Sequence, residues 1–343
     1  MDPDLLLAGL RAGQTAALAR AISVVENGRP GFERLLAEVH PLVGRAQRIG
    51  ITGPPGAGKS TLVERMVSAI RQAGQRVAVV AVDPTSPFTG GALLGDRIRM
   101  EAVALDQGVY IRSMGSRGSI GGLATTTREV CDLLDAAGYD RILIETVGVG
   151  QSELDVARMA DATMLVLVPE SGDGIQTLKS GVMEIADLFV VNKADRPGAE
   201  KLRQEIEVTL GIRRGNAFRH FPAHHGLKAG RPAPPVATDP GGWQQPVLLT
   251  VAAKGEGVGE VLAALDRLFV WLDSSGTLEQ RRRRRLFERT REVVDRATRR
   301  WLWEETRADE RIAARLDEVV AGRVSPYEVA AEVLDGLKQG ARV

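Results

Sequence analysis

The chain has 343 residues, 44% of them hydrophobic, and its 45 Lys and Arg residues nearly balance its 44 Asp and Glu residues. This composition is typical of a folded globular protein, and the near-neutral charge gives no support for binding nucleic acid or a membrane over the whole surface. The single cysteine excludes an intrachain disulfide framework, and the absence of a secretory signal or of a spanning apolar run leads us to expect a cytoplasmic protein with no membrane partner.

Apolar residues at helical spacing predict an N-terminal helical extension over residues 1–45. From 46 to 272 the pattern changes, and short apolar runs alternate with longer amphipathic stretches. The runs predict strands at 48–52, 77–82, 109–114, 142–145, 164–168, 188–191 and 247–251. Several are apolar at consecutive positions, which is typical of parallel strands buried on both faces. We therefore predict an α/β fold with a doubly wound, mostly parallel sheet.

Residues 213–246 contain six prolines and show little periodicity, which predicts a long irregular insertion before the last strand. From 273 to 343 the pattern is helical again, and Ser325 with Glu328 three residues later predicts a capping box. The five consecutive arginines at 281–285 are followed at once by acidic residues. This favours a solvated or subunit-facing helix over a nucleic-acid patch.

The strongest motif is a glycine-rich loop between the first predicted strand and the next helix. It matches G-x-x-x-x-G-K-[ST] in full, with the residues Gly53, Pro54, Pro55, Gly56, Ala57, Gly58, Lys59 and Ser60, and Thr61 begins the turn that follows. Backbone N–H groups reach phosphates only where side chains do not obstruct them, and a helix N-terminus attracts anions. We expect Lys59 to neutralise the β- and γ-phosphates and Ser60 to bind Mg²⁺.

Acidic residues follow the predicted strands at the same edge of the sheet. Glu145 ends the strand 142–145 beside the phosphate loop, where Mg²⁺ and water would bind, and Gly148 is spaced so that its N–H could meet the γ-phosphate. Asp83 closes the strand 77–82, and Asp96 lies in a Gly-Asp-Arg turn. Either aspartate could hold Mg²⁺ or orient the attacking water. The alternatives are an acid that merely ends a strand and turn-forming aspartates beside Pro or Gly.

A second motif indicates which base is bound. Asn192, Lys193 and Asp195 follow the strand 188–191 in the pattern N-K-x-D. A carboxylate at Asp195 can accept hydrogen bonds from guanine N1–H and the 2-amino group, whereas adenine offers neither and would leave the carboxylate unpaired. The segment Ala252, Ala253 and Lys254 is a plausible base-backing loop, although its first residue is Ala where Ser is usual. The motif favours GTP over ATP.

These motifs together resemble the MeaB/ArgK family of P-loop GTPases, the methylmalonyl-CoA mutase-associated G-protein chaperones. The resemblance covers about residues 45–270 and rests above all on the string Glu-Thr-Val-Gly-Val-Gly-Gln-Ser-Glu at 145–153. It implies a GTPase that binds GTP, GDP and Mg²⁺, and a homodimer held by a C-terminal arm over 273–343. It also implies partnership with an adenosylcobalamin-dependent acyl-CoA mutase. GTP binding and hydrolysis would gate the loading of that mutase with its cofactor and would protect or reactivate the mutase.

The same resemblance implies roles for particular residues. Ser60, Asp96 and Glu145 would surround Mg²⁺ with Asp83 nearby, and the segment 172–179 would be an extra switch, for which an ordinary connecting loop is the alternative. Older naming of such proteins as kinases of an amino-acid transport system leaves open a P-loop kinase acting on a small molecule or a transport-system protein. The guanine motif argues against that kinase. A metal-insertion GTPase is a third possibility, for which Cys131 alone is a poor metal site.

Overall fold

The computed structural model describes residues 3–83, 103, 105–115, 122–146, 152–170, 182–213, 242–306 and 308–340. Two compact units make up the chain, Met1–Arg283 and Arg284–Val343. The three-part division predicted from the sequence, with boundaries near residues 45 and 272, stays a prediction. Most of the predicted insertion at 213–246 lies outside the described residues, but Arg213 closes a helix and residues 242–246 lead into the last strand.

A seven-stranded sheet forms the centre of the first unit. Its strands are β1 (Gln47–Thr52), β2 (Val77–Asp83), β3 (Val109–Gly115), β4 (Arg141–Thr146), β5 (Ala162–Leu167), β6 (Leu188–Asn192) and β7 (Val247–Thr250). They are arranged in the order β3-β2-β4-β1-β5-β6-β7, and each neighbouring pair is parallel. The predicted doubly wound α/β fold is confirmed, and each predicted strand is present to within two residues at either end.

Helices connect and cover these strands. In the first unit they are α1 (Pro3–Arg11), α2 (Thr15–Glu26), α3 (Phe32–Val39), α4 (Lys59–Gln72), α5 (Gly122–Ala136), α6 (Ser152–Met159), α7 (Val182–Ile185), α8 (Ala199–Arg213) and α9 (Val258–Ser274). The helix α10 (Thr277–Arg300) begins in this unit, and short 3₁₀ turns occupy His40–Leu42 and Ala252–Lys254.

The sheet buries a separate apolar core on each face. On one face, Leu62 and Met66 of α4 pack with Leu265 of α9 against the strands. On the other face, Leu134 of α5 and Ile22 of α2 belong to a cluster to which all three N-terminal helices contribute. Strands β4 and β5 are buried along their whole length, because helices cover both of their faces. This burial explains why their sequences are apolar at consecutive positions.

Two arginines at the start of α10 are anchored at the N-terminal edge of the sheet. Arg281 donates to both carboxylate oxygens of Asp187, at 3.1 and 2.8 Å, and Arg282 donates to both oxygens of Asp161, at 3.0 and 2.8 Å. These aspartates directly precede β6 and β5, and both are buried. The expected solvated or subunit-facing helix is therefore wrong for these two arginines. It describes Arg284 better, since that side chain is exposed.

A third partly buried arginine lies beside this anchor. Arg48 of β1 donates to Asp132 at 2.8 Å and to Asp135 at 3.1 Å, both on α5. Burial by itself would lower the pKa of Arg48, but the carboxylates around it, chiefly Asp132, raise that pKa above its usual value. Asp161 contributes to this effect as well. The N-terminal edge of the sheet is thus held by paired charges.

The second unit is helical in its described residues. After α10, a short π-helical turn (Trp301–Glu305) is followed by α11 (Ala308–Val320) and α12 (Pro326–Gly340). The predicted capping box is confirmed, because Ser325 N–H donates to Glu328 Oε2 at 2.7 Å and Glu328 N–H donates to Ser325 Oγ at 3.2 Å. Across the described ranges of the whole chain, no helix has the length and apolar character needed to cross a membrane.

Candidate functional site

The glycine-rich loop lies between the end of β1 and the start of α4, at the C-terminal edge of the sheet. Two of its glycines have no room for a side chain. A Cβ on Gly53, whose φ is 140°, would lie 2.0 Å from the carbonyl oxygen of Val166, and a Cβ on Gly58, whose φ is 83°, would lie 2.5 Å from Asn192 Nδ2. Close packing against β5 and β6 therefore demands glycine at both positions.

The loop brings its lysine and its serine to the start of α4. Lys59 is buried, and its Nζ donates to the carbonyl oxygens of Gly53 at 2.7 Å and Pro54 at 3.0 Å. Ser60 Oγ donates to Glu145 Oε1 at 2.6 Å. Strand β4 is a direct neighbour of β1, and α4 begins just after the loop that follows β1. The side chain of Glu145, near the end of β4, therefore reaches the first turn of α4. The predicted partners Ser60 and Glu145 are thus in direct contact.

Asn192, the first residue of the guanine motif, connects three parts of the site. Its side-chain amide donates from Nδ2 to the carbonyl oxygen of Ala57 in the phosphate loop, at 2.8 Å. Its Oδ1 accepts the Thr250 hydroxyl at 3.1 Å and the Ala252 N–H at 3.0 Å. Asn192 is 3% exposed, so these bonds are shielded from water. One buried amide therefore holds the phosphate loop and the base-backing loop in a fixed relation.

The remaining residues of the guanine motif lie at the surface. Lys193 has a positive φ of 57°, which is uncommon for a residue other than glycine. Such backbone strain costs on the order of 1 kcal/mol and is typical of binding sites. Asp195 is exposed, as are Ala253 and Lys254, whereas Ala252 is buried. The carboxylate and the outer residues of this loop are therefore accessible from solvent.

Several predicted site residues lie partly or wholly outside the described residues. Asp83 ends β2, and the register that pairs Ala81 with Glu145 puts the Asp83 backbone two residues beyond Glu145 at the same edge. Asp96, Gly148 and the segment 172–179 are outside the described ranges. Within the phosphate loop, Pro55 and Gly56 are exposed, and so is Thr61 on the first turn of α4.

Sequence reasoning missed two contacts of the site. Thr250 and Arg65 were not predicted, yet Thr250 bonds to Asn192 and Arg65 donates to the Ala253 carbonyl at 2.9 Å. For Thr250 a signal existed, since it is a polar residue that ends a buried strand. Outside the site, the bond between Arg112 of β3 and Glu26 of α2 was not predicted either.

Comparison with known proteins agrees with this geometry. The family described as "Methylmalonyl Co-A mutase-associated GTPase MeaB" matches residues 18–307. A Mycobacterium tuberculosis protein named as a probable GTPase is 38% identical over 337 residues, 97% of this chain and 94% of its own. The mouse protein "Methylmalonic aciduria type A homolog, mitochondrial" is 44% identical over 206 residues, 56% of this chain and 50% of its own.

A solved structure matches the chain along nearly its whole length. The crystal structure of a protein titled "LAO/AO transport system kinase" superposes with a TM-score of 0.67 at 29% identity, covering 98% of this chain and 97% of that one. The family match spans most of the chain and includes both nucleotide motifs. The chain therefore belongs to the MeaB family of P-loop GTPases and hydrolyses GTP to GDP and phosphate.

Proposed function

We propose that this GTPase is a chaperone for an adenosylcobalamin-dependent acyl-CoA mutase, such as methylmalonyl-CoA mutase. GTP binding and hydrolysis would gate the loading of the mutase with its cofactor and would protect or reactivate the mutase. Two findings support the proposal. The description of the matching family includes association with methylmalonyl-CoA mutase, and the mouse relative is named after methylmalonic aciduria.

The observation that carries the nucleotide half of the proposal is the bridge made by Asn192. Because its amide joins the carbonyl of Ala57 to the N–H of Ala252, phosphate and base would be bound by one rigid frame. In our proposal Asp195 accepts hydrogen bonds from guanine N1–H and the 2-amino group. The exposed Ala253 N–H would donate to the guanine 6-oxo group. Adenine would meet neither requirement.

Mg²⁺ fits the donor set at the start of α4. A hydroxyl oxygen and a buried carboxylate oxygen lie 2.6 Å apart at Ser60 and Glu145, and hard oxygen ligands of this kind, together with phosphate oxygens, are what Mg²⁺ prefers. When bound, Mg²⁺ would neutralise charge on the β- and γ-phosphates. Asp83 and Asp96 are proposed as further Mg²⁺ ligands or as residues that orient the attacking water.

The chain's own groups would supply the remaining stabilisation. The loop N–H groups and the N-terminal end of α4 would face the phosphates, where negative charge accumulates as the γ-phosphate departs. Lys59 would exchange its bonds to the loop carbonyls for bonds to phosphate oxygens. Gly148 N–H is proposed to donate to the γ-phosphate. Together these groups would stabilise the transition state by position and charge rather than by covalent chemistry.

Base recognition can be tested by changing one atom type at Asp195. An Asp195→Asn variant should lose GTP affinity and gain xanthosine triphosphate affinity, because the amide can donate to the 2-oxo group of xanthine. Unchanged selectivity would remove Asp195 from the base site. The same assay separates the kinase alternative. GTP hydrolysis to GDP and free phosphate without an acceptor supports a hydrolase, whereas GDP formation that requires an added small-molecule acceptor, with the phosphoryl group transferred to that acceptor, would contradict it.

The chaperone role requires a partner assay. We expect an adenosylcobalamin-dependent apo-mutase, such as methylmalonyl-CoA mutase, to acquire adenosylcobalamin at a rate that depends on GTP and on the wild-type GTPase. The absorbance spectrum of the cofactor would follow the loading. A Lys59→Ala variant should bind nucleotide weakly and lose the GTP dependence. Equal loading with wild type, with Lys59→Ala and without the GTPase would contradict the chaperone role while leaving GTP hydrolysis in place.

We also propose that the second unit mediates homodimerisation. Its helices expose large apolar side chains to an unusual degree, among them Phe287 at 65%, Trp303 at 47% and Leu316 at 52%. Truncation after residue 286 retains Arg281 and Arg282, which anchor the start of α10. Light scattering should therefore show a folded monomer in place of the full-length dimer. A truncated chain that stays dimeric would exclude this unit as the interface.

A further inference from the structure

The base-backing loop, defined here as residues 251–257, is held by a side chain from the phosphate-binding helix. Arg65 of α4 donates from Nη2 to the carbonyl oxygen of Ala253, 188 residues away in sequence, at 2.9 Å. Arg65 follows Lys59 by six residues, which corresponds to about 9 Å along the helix axis. We propose that Arg65 is a positioning residue for guanine recognition, which it promotes by orienting this loop. The inference rests on the proposed function of the site.

The loop's own hydrogen bonds show why an outside donor matters. The N–H groups of Lys254 and Gly255 donate to the carbonyls of Val251 and Ala252, at 2.9 and 3.1 Å, and the Ala252 N–H is bonded to Asn192. The carbonyl of Ala253 accepts from Arg65. Because a peptide group is planar, bonds at both ends of the Ala253–Lys254 peptide fix its orientation.

This fixed peptide determines where the loop presents a donor. The Ala253 N–H takes part in none of the bonds just described, and it belongs to an exposed residue. In our proposal this N–H donates to the guanine 6-oxo oxygen. It lies on the Ala252–Ala253 peptide, whose carbonyl accepts the Gly255 N–H, and this peptide is joined at the Ala253 Cα to the peptide that Arg65 holds. The Arg65 bond therefore opposes changes in the Ala253 backbone dihedrals that would displace the N–H from the base. Arg65 would thus act through Ala253 and would not touch the nucleotide.

Packing around Arg65 favours this role. Leu62 and Met66, on either side of Arg65 in α4, are buried in one apolar cluster with Ala252 of the loop. Arg65 itself is exposed, at the rim of that contact. Ala252 stands where serine is usual in this loop, so a side-chain hydroxyl is missing from the loop. The guanidinium supplies a polar tie from outside the loop instead.

The experiment measures which atoms of the base are recognised. We would compare full-length wild type, Arg65→Ala and Arg71→Ala, using GDP, inosine diphosphate, which lacks the 2-amino group, and 2-aminopurine riboside diphosphate, which lacks the 6-oxo group. Arg71 is the matched control, since it lies on the same helix and pairs with Asp106 and the Gln75 carbonyl. Melting temperatures without nucleotide would report any general loss of stability.

Arg65→Ala should release a fluorescent GDP analogue about threefold to tenfold faster, as expected for the loss of one partly exposed hydrogen bond that orients a binding group. Its discrimination against 2-aminopurine diphosphate should fall by a similar factor, whereas discrimination against inosine diphosphate, assigned to Asp195, should stay unchanged. Arg71→Ala should match wild type in both ratios.

Two results would overturn the inference. Wild-type release and wild-type discrimination in Arg65→Ala would remove Arg65 from base recognition while leaving the guanine site intact. Equal losses for both analogues in Arg65→Ala and Arg71→Ala would show a general effect on stability. A wild-type chain that binds ADP as tightly as GDP would instead overturn the proposed base site, and the inference with it.

Discussion

Replacing Arg282 by alanine tests whether the anchor of α10 is a stabilising element of the first unit. Asp161 is fully buried and accepts two hydrogen bonds from Arg282, at 3.0 and 2.8 Å, as well as the Arg48 N–H at 3.1 Å. Arg282 also donates to the carbonyls of Gly44, at 2.5 Å, and Ala46, at 3.0 Å. The substitution would leave a desolvated carboxylate and two carbonyls without these donors.

The expected cost follows from that geometry. Breaking a buried ion pair by removing one partner costs about 3–5 kcal/mol. Because the Arg282 side chain is 26% exposed, water can partly replace it, and we expect a loss near the lower end, about 3 kcal/mol. Arg284→Ala is the matched control, since its pair with Glu288 is exposed and of the i,i+4 type. Such a pair contributes about 0.3–0.5 kcal/mol.

Urea unfolding followed by circular dichroism and by tryptophan fluorescence would measure both variants, with coincident transitions required before free energies are compared. A double-mutant cycle with Asp161→Ala would isolate the pair, and a coupling energy well above 1 kcal/mol is expected. If Arg282→Ala and Arg284→Ala lose the same free energy of unfolding to within about 0.5 kcal/mol, the ion pair between Arg282 and Asp161 does not stabilise the first unit more than an exposed pair does.

Three further predictions address the site and the second unit. Asn192→Ala should weaken GDP binding at least about tenfold, because it removes both the bond to the phosphate loop and the bonds to the base side; calorimetric titration would measure this, and an unchanged affinity would contradict the bridging role. Ser60→Ala should make nucleotide affinity nearly independent of Mg²⁺, which a titration with and without EDTA would show, while persistent Mg²⁺ dependence would remove Ser60 from the metal site. Hydrogen bonds with Ser325 lower the pKa of Glu328, and the bond from the Ser325 N–H has the largest effect. A carboxylate with a lowered folded pKa contributes stability above its unfolded pKa, near 4.3, and loses that contribution as the pH falls through the folded value. The difference in helix stability between wild type and Glu328→Gln should therefore be present at neutral pH and vanish in acid, as measured by circular dichroism; a pH-independent difference would rule out the carboxylate.

The strands of the sheet were predicted well because the apolar pattern of each strand lies within a few consecutive residues. The strands β4 and β5 are buried on both faces, so their apolar residues are consecutive and bounded by polar ones. The nucleotide motifs were predicted for a related reason. The phosphate loop and Asn192 must meet fixed chemical requirements at fixed spacing, and parallel strands deliver them to one edge. The contact between Ser60 and Glu145 follows from that topology.

The contacts that sequence reasoning missed all join distant segments. Arg65 and Ala253 are separated by 188 residues, and Arg282 and Asp161 by 121. No spacing rule connects such pairs. A run of arginines beside glutamates has the appearance of a solvated helix face, and only the buried aspartates before β5 and β6 show that two of those arginines are paired and partly buried. Arg112 shows the same limit, since its partner Glu26 lies on a helix whose packing on the sheet was not predicted.

Strand β6 connects the charge pairs at the N-terminal edge of the sheet with the nucleotide site at the C-terminal edge. At its start, the Asp187 carboxylate is bonded to Arg281 and to the Thr163 N–H. At its end, Asn192 must hold the phosphate loop and the base-backing loop at hydrogen-bond distance. The strand is five residues long, roughly 17 Å, and is paired on both sides. A short paired strand cannot slip by a fraction of a residue, so anchoring Asp187, the residue directly before the strand, also fixes the position of Asn192 at the C-terminal edge of the sheet. We infer that the charge pairs at the N-terminal edge help to hold β6 in place. The fixed strand then keeps the Asn192 amide within hydrogen-bond distance of both the phosphate loop and the base-backing loop at the C-terminal edge.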